Sequence, residues 1–331
     1  MTFKIILPGI GITIITGLAA LFLSEHYGAP VMLFALLLGI ALSFLYEEGS
    51  CREGIEFSAN FILKLGIALL GLRIALSDLI ALGWETIVLL TVAIASTILI
   101  GTYTAKVLGL KKSLGVLTGG AVSICGASAA LAISAVLPEH KDKERDTLLT
   151  VICVTSMSTI SMVIYPILTA YFGLDNHDSG LFLGGTIHDV AQVVGAGYSV
   201  SDETGNIATL VKLVRVSLLV PVVFCVLFFI SWQNNKVESK HSKQKFSAAG
   251  VPLFLIVFFL LMLVNSSTTI PQELTDITTS FSRFALIIAI TAIGMKSNLA
   301  KLTSVGLKPI FLMLIETSWL AFFILLVIFI I

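Results

Sequence analysis

The sequence predicts an all-α polytopic membrane protein, on three observations. The chain is 57% hydrophobic and only 12% charged, against roughly 25% charged residues in soluble domains. Its mean hydropathy is +1.03, so a water-soluble fold would have almost no polar surface to present. Apolar runs long enough to cross a hydrocarbon core of about 30 Å recur along the whole chain, among them Ile5 to Leu23, Ile87 to Ala105, Val214 to Ile230 and Phe311 to Ile331.

The first run follows Lys4 and has the look of a signal peptide, but Ser24-Glu25-His26 lacks a small-x-small cleavage pattern, so it reads as a spanning helix. Beyond it, Lys and Arg near the ends of spans assign the sides. The clearest cluster is Lys236, Lys240, Lys243 and Lys245, which makes the loop 233–247 the cytoplasmic anchor. Forward from it, Val251 to Val264 exits to the poorly basic stretch Asn265 to Ser280. Phe284 to Met295 returns to Lys296, Lys301 and Lys308, and Ile310 to Ile331 ends outside. Backward from it, Leu210 to Trp232 starts outside near Ser201 to Gly205. Leu148 to Phe172 follows the segment Glu139 to Asp146, whose Lys141, Lys143 and Arg145 belong inside.

Lys106, Lys111 and Lys112 belong inside as well, so Leu114 to Leu137 starts and ends on one side. Leu181 to Tyr198 has the same problem, lying between Asp175 to Gly180 and Ser201 to Gly205, both outside. The two offending elements, 113–137 and 180–199, are the glycine-rich ones, as expected of re-entrant hairpins or broken helices. Gly115, Gly119 and Gly120 recur as Gly180, Gly184 and Gly185, each pair 65 positions apart. With one span between them the elements enter from opposite faces, the pattern of inverted-repeat transporters whose broken helices meet near the midplane. The count is about nine spans plus two re-entrant elements, or about eleven spans if both cross, in a single domain over residues 1–331.

The first element reads Gly119-Gly120-Ala121-Val122-Ser123-Ile124-Cys125-Gly126-Ala127-Ser128. An interrupted helix leaves N–H groups whose dipole favours an anion, and Ser123 and Ser128 add hydroxyls. The alternative is a tight helix crossing through small-residue contacts. The second reads Gly184-Gly185-Thr186-Ile187-His188-Asp189-Val190-Ala191-Gln192. If helical, it puts His188 and Gln192 on one face and Asp189 beside Gln192. Ionisable groups in apolar sequence are costly and are functional candidates, unless they sit at a wet helix end. His188 would allow proton coupling. Lys212 and Arg215, at i and i+3, would pin an anion, pair with Asp189 or Asp202, or snorkel to the interface. Arg73 would act directly or pair with nearby Asp78.

Net charge is zero, from 20 basic and 20 acidic residues, which points to no nucleic acid and no acidic partner. Cys51, Cys125, Cys153 and Cys225 are scattered without a C-x-x-C pair, so they read as apolar packers, with no metal and no disulfide framework. There is no nucleophile elbow, P-loop, zinc-protease or dinucleotide signature, hence no cofactor and no enzyme is expected.

The motifs Leu70-Gly71-Leu72-Arg73, Ser123-Ile124-Cys125-Gly126-Ala127 and His188-Asp189-Val190-Ala191-Gln192-Val193-Val194, with Lys212 and Arg215 following, resemble the bacterial YeiH family of inner-membrane proteins. The late stretch Ala292-Ile293-Gly294-Met295, continuing through Leu299 to Gly306, Lys308 and Pro309, fits too. The similarity covers nearly the whole chain after the first helix, and Asp189 stands where the motif admits Asp or Glu. Sulfate export has been ascribed to that family, which is grouped with cation:proton antiporter and bile-acid-transporter-like folds. The resemblance implies transport and a core-plus-scaffold architecture.

The expected function is therefore secondary transport, in the direction of export, of a small anion such as sulfate, sulfite or a sulfonate. The candidate binding residues are Gly119, Gly120, Ser123, Cys125, Gly126, Ser128, Gly184, Gly185, Thr186, His188, Asp189, Gln192, Lys212, Arg215 and Arg73. The rivals are a cation:proton antiporter using Asp189 and a non-transporting intramembrane protein. The expected partners are the solute, the lipid bilayer and a coupling proton or cation; a homodimer is a fold-level analogy.

Overall fold

The computed structural model describes residues 2–28, 30–47, 49–74, 76–138, 141–234, 253–267, 271–297 and 306–330. The anchor lysines Lys236, Lys240, Lys243 and Lys245, together with Lys301, lie outside them. Among the described residues every regular element is helical. The chain opens with α1 (Thr2–Tyr27), α2 (Val31–Ala41), α3 (Phe44–Glu47) and α4 (Arg52–Phe57), which continues through a π-helical turn, Ser58–Ile62, into α5 (Leu63–Leu70). Then come α6 (Leu76–Ala81), α7 (Gly83–Val107), α8 (Lys112–Ser123), α9 (Ala127–Val136), α10 (Lys143–Tyr171), α11 (Asn176–Thr186) and α12 (Val190–Val200). The chain closes with α13 (Asp202–Ser217), α14 (Leu219–Asn234), α15 (Leu253–Ser267), α16 (Gln272–Lys296) and α17 (Leu307–Ile330).

Six stretches are long and apolar enough to cross a bilayer: Ile5–Tyr27, Gly83–Val107, Lys143–Tyr171, Asp202–Phe228, Gln272–Lys296 and Leu307–Ile330. The expected span Val251 to Val264 falls on the shorter helix α15. Two stretches read as loops prove helical. Ser201 caps α13, its hydroxyl accepting from the Thr204 N–H at 3.0 Å, so the polar residues after it form the first helical turn. Likewise α16 begins at Gln272, inside the stretch read as Asn265 to Ser280.

The glycine-rich elements are broken helices, α8–α9 and α11–α12. Each returns to the end of the molecule that it entered. At the base of the first hairpin, Lys111 Nζ lies 2.8 Å from Asp142 Oδ2, joining the residue before α8 to the one before α10. At the base of the second, Asn176 Nδ2 donates to Glu203 Oε2 at 2.8 Å, and the Ser201 hydroxyl donates to Asn176 Oδ1 at 3.0 Å. The 29-residue α10 joins the two hairpins and is about 43 Å long at 1.5 Å per residue, so they enter from opposite ends. The charge conflict in the sequence thus has a structural cause: neither element crosses.

Contacts divide the helices into two groups. One consists of α7 to α9, α11 to α13 and α17 around the hairpins; the other of α1, α2, α4, α5, α15 and α16. α10 packs on both hairpins, and α12 touches α2 and α16 across the seam. Without water to drive helices together, close backbone approach supplies the packing. At Gly39 and Gly294, α2 and α16 come so near that a Cβ on either would sit 2.9 Å from the other's Cα.

Candidate functional site

The breaks are Ile124-Cys125-Gly126 and Ile187-His188-Asp189. Gly126 has φ +66°, a conformation that costs a side-chain-bearing residue but not glycine. A break exposes two kinds of helix end: carbonyls at the end of the first half, and N–H groups at the start of the second.

The carbonyl ends are held by two cations from α13. Lys212 Nζ donates to Ile124 O at 2.7 Å, Ile187 O at 2.9 Å and His188 O at 2.6 Å. Arg215 donates to Val122 O at 3.0 Å and Gly184 O at 3.2 Å. Both side chains are fully buried. Positive charge suits the negative ends of helix dipoles, and the three donors of the lysine ammonium are all used. In this arrangement the two side chains tie the hairpins to each other.

The N-terminal turns of α9 and α12 border a cavity of about 590 Å³. Ala127 and Ser128 of α9, and Val190, Ala191 and Gln192 of α12, line it together with Cys125 and Asp189. Asp189 is half-buried, and its backbone N–H donates to Ser158 Oγ at 3.0 Å. Gln192 is 3% exposed, and its Oε1 has no hydrogen-bond partner among the described residues. Thr155, Asn60, Lys64 and Lys296 complete the polar lining.

Other expected site residues lie elsewhere. His188 is buried, with Nδ1 3.1 Å from Thr186 O and Nε2 3.1 Å from Thr317 Oγ1 on α17. Because residues 187–189 are not helical, His188 and Gln192 do not share a face, while Asp189 and Gln192 remain together on the first turn of α12. Gly119 abuts the backbone of Ile98, and Gly184 that of Ala208; Gly120 faces Ile133, and Gly185 faces Ile324. These four glycines are packing positions. Thr186 spends its hydroxyl on Phe182 O at 2.6 Å, and Ser123 Oγ is buried without a partner among the described residues. Arg73 pairs with Asp202 at 3.2 Å, next to the Tyr198 ring and away from the breaks.

Three residues that the sequence reading did not count among the site residues lie in or near it. Lys64 and Lys296 line the cavity. Glu316 is fully buried in α17, one oxygen accepting from the Thr118 hydroxyl at 2.8 Å and the other without a partner among the described residues. It is the lone carboxylate of the last apolar run, which was signal enough to find it.

Spans, opposed broken hairpins and a buried polar centre define a multi-pass α-helical membrane protein. The family model described as "Conserved hypothetical protein 698" matches residues 8–313, and the chain belongs to that family. The family resemblance read from the motifs is borne out. A UPF0324 membrane protein of Chlorobaculum tepidum is 48% identical over 315 residues, covering 95% of this chain and 87% of that one. The UPF0324 membrane protein TauZ of Paracoccus denitrificans is 47% identical over 318 residues, covering 96% and 93%. Among solved structures, the sodium proton antiporter MjNhaP1 from Methanocaldococcus jannaschii aligns over 99% of this chain and 100% of that one. Its sequence identity is 16% and its TM-score 0.33, a distant likeness.

Proposed function

We propose that the protein is a secondary transporter that exports a small anion, such as sulfate, sulfite or a sulfonate, by alternating access. One observation carries this reading: the N-terminal turns of α9 and α12 both line the cavity, while Lys212 and Arg215 neutralise the opposing carbonyl ends. The cavity is therefore exposed to the positive halves of two broken helices, and Lys64 and Lys296 add full charges. Its volume suits a small solute. It lies along the Lys143 half of α10, the half near Lys111 and Arg145, which supports a cytoplasmic opening. A second recess of about 550 Å³ lies along the other half of α10. The two are one helical turn apart on both walls, from Thr159 to Met162 on α10 and from Gln192 to Gly195 on α12. That proximity supports alternate exposure of one site, and opposed hairpin entry supports the inverted-repeat reading.

The test is thermal stabilisation of the detergent-purified protein by oxyanions, followed by solute flux in proteoliposomes. Oxyanions should raise the melting temperature and be carried, with both effects weakened in Lys296→Gln. The half-buried carboxylate of Asp189 in the cavity favours a second reading, a cation:proton antiporter. That reading requires stabilisation by alkali cations alone, abolished in Asp189→Asn. Absence of flux under every gradient would sink transport itself.

A further inference from the structure

The cavity is not uniformly suited to an anion. On α12 two acceptors share one turn: the Asp189 carboxylate, near Lys212 and Lys296 but in no close ion pair among the described residues, and the Gln192 Oε1, nine-tenths buried and unpartnered. A buried acceptor without a donor costs free energy, so a ligand that supplies the donor is favoured there. Donors line other parts of the cavity, with the Ser128 hydroxyl, the N-terminal residues Ala127 and Ser128 of α9 and the two lysines. Sulfate would satisfy the donors, be repelled by Asp189 and leave Gln192 unanswered.

We infer that the transported solute is a small zwitterion, its acid group held by the α9 terminus and the lysines and its ammonium held between Asp189 and Gln192 Oε1. This inference rests on the anion-transport reading and narrows it to amino-sulfonates or amino-carboxylates with the two charges separated by a short chain. Such a ligand meets both walls at once, and its affinity comes from the pairing of both ends.

The experiment is calorimetric titration of the full-length protein in detergent with sulfate and with two matched pairs: ethanesulfonate against 2-aminoethanesulfonate, and propanoate against 3-aminopropanoate. Titrations are run in sodium and in choline buffers. The amino member of each pair should bind at least about tenfold more tightly to the wild type, since a site built to hydrogen-bond a group discriminates against ligands lacking it. In Asp189→Asn and Gln192→Leu that preference should shrink to within about twofold to threefold while the amino-free acid still binds. If amino-free acids bind the wild type as tightly as their partners, the zwitterion inference fails and the anion reading stands. The inference also fails if they bind only with sodium, because the acceptors then hold a metal cation. If neither pair nor sulfate binds at all, both readings fall. The wild-type comparison decides even where a variant does not fold.

Discussion

The two hairpins have the same architecture and opposite chemistry. Each is a pair of half-helices of ten to twelve residues joined by a three-residue break, and each closes its base at one end of the molecule. The first break, Ile124-Cys125-Gly126, carries no charge and depends on the left-handed backbone of Gly126. The second, Ile187-His188-Asp189, has Ile187 and Asp189 at negative φ and carries the titratable groups. At the cavity the first hairpin presents Ala127 and the Ser128 hydroxyl, and the second the side chains of Asp189 and Gln192. Shared glycines thus mark shared packing, while the ligand chemistry comes from the residues that differ between the two.

Removing the tie between the hairpins should have the largest effect. Lys212→Met leaves three buried carbonyls, two of them in the second break, without a donor. The expected loss is about 3–5 kcal/mol, read as a large fall in the thermal unfolding midpoint or as failure to accumulate. Next comes the backbone asymmetry. A Cβ at Gly126 has room, its nearest neighbour being His188 O at 3.6 Å, so Gly126→Ala isolates the conformational cost. About 1–2 kcal/mol is expected from the same measurement, and a neutral result would refute the strained-tip account. The smallest effects lie at the bases. Asn176→Ala should cost about 1–2 kcal/mol whatever the salt, since it removes uncharged as well as charged partners. Lys111→Gln should cost under about 1 kcal/mol and vanish in high salt, because its pair with Asp142 is exposed. Salt-dependence at both bases, or at neither, would erase that contrast.

Much of this was legible in the sequence. The failure of Leu114 to Leu137 and Leu181 to Tyr198 to balance the positive charges was a true sign of re-entry, and Asp189 to Gln192 of the H-D-V-A-Q segment line the cavity. Spacing showed that Lys212 and Arg215 share a helix face. Their partners, Val122, Ile124, Gly184, Ile187 and His188, lie 24 to 93 residues away in chain order, which no local pattern encodes. Arg73 illustrates the same limit: its partner is the distant Asp202. Lysines near span ends ordinarily snorkel to water, so nothing in the flanks of Lys64 and Lys296 distinguished lining a cavity from facing solvent.

The partition between the two recesses is one helical turn thick, with Met162 folded against Gly195 and Ile290 beside them. Water in both recesses would bring the two aqueous phases to within about 5 Å of each other, not the usual 30 Å. Nearly all of the transmembrane voltage would then fall across that turn. A monovalent anion stepping over it would exchange about 2.3 kcal/mol with a potential of 100 mV, so its movement would be driven or opposed by the voltage. A solute whose charges sum to zero would cross the same field with almost no electrical work of its own, leaving the voltage to act only on whatever ion moves with it.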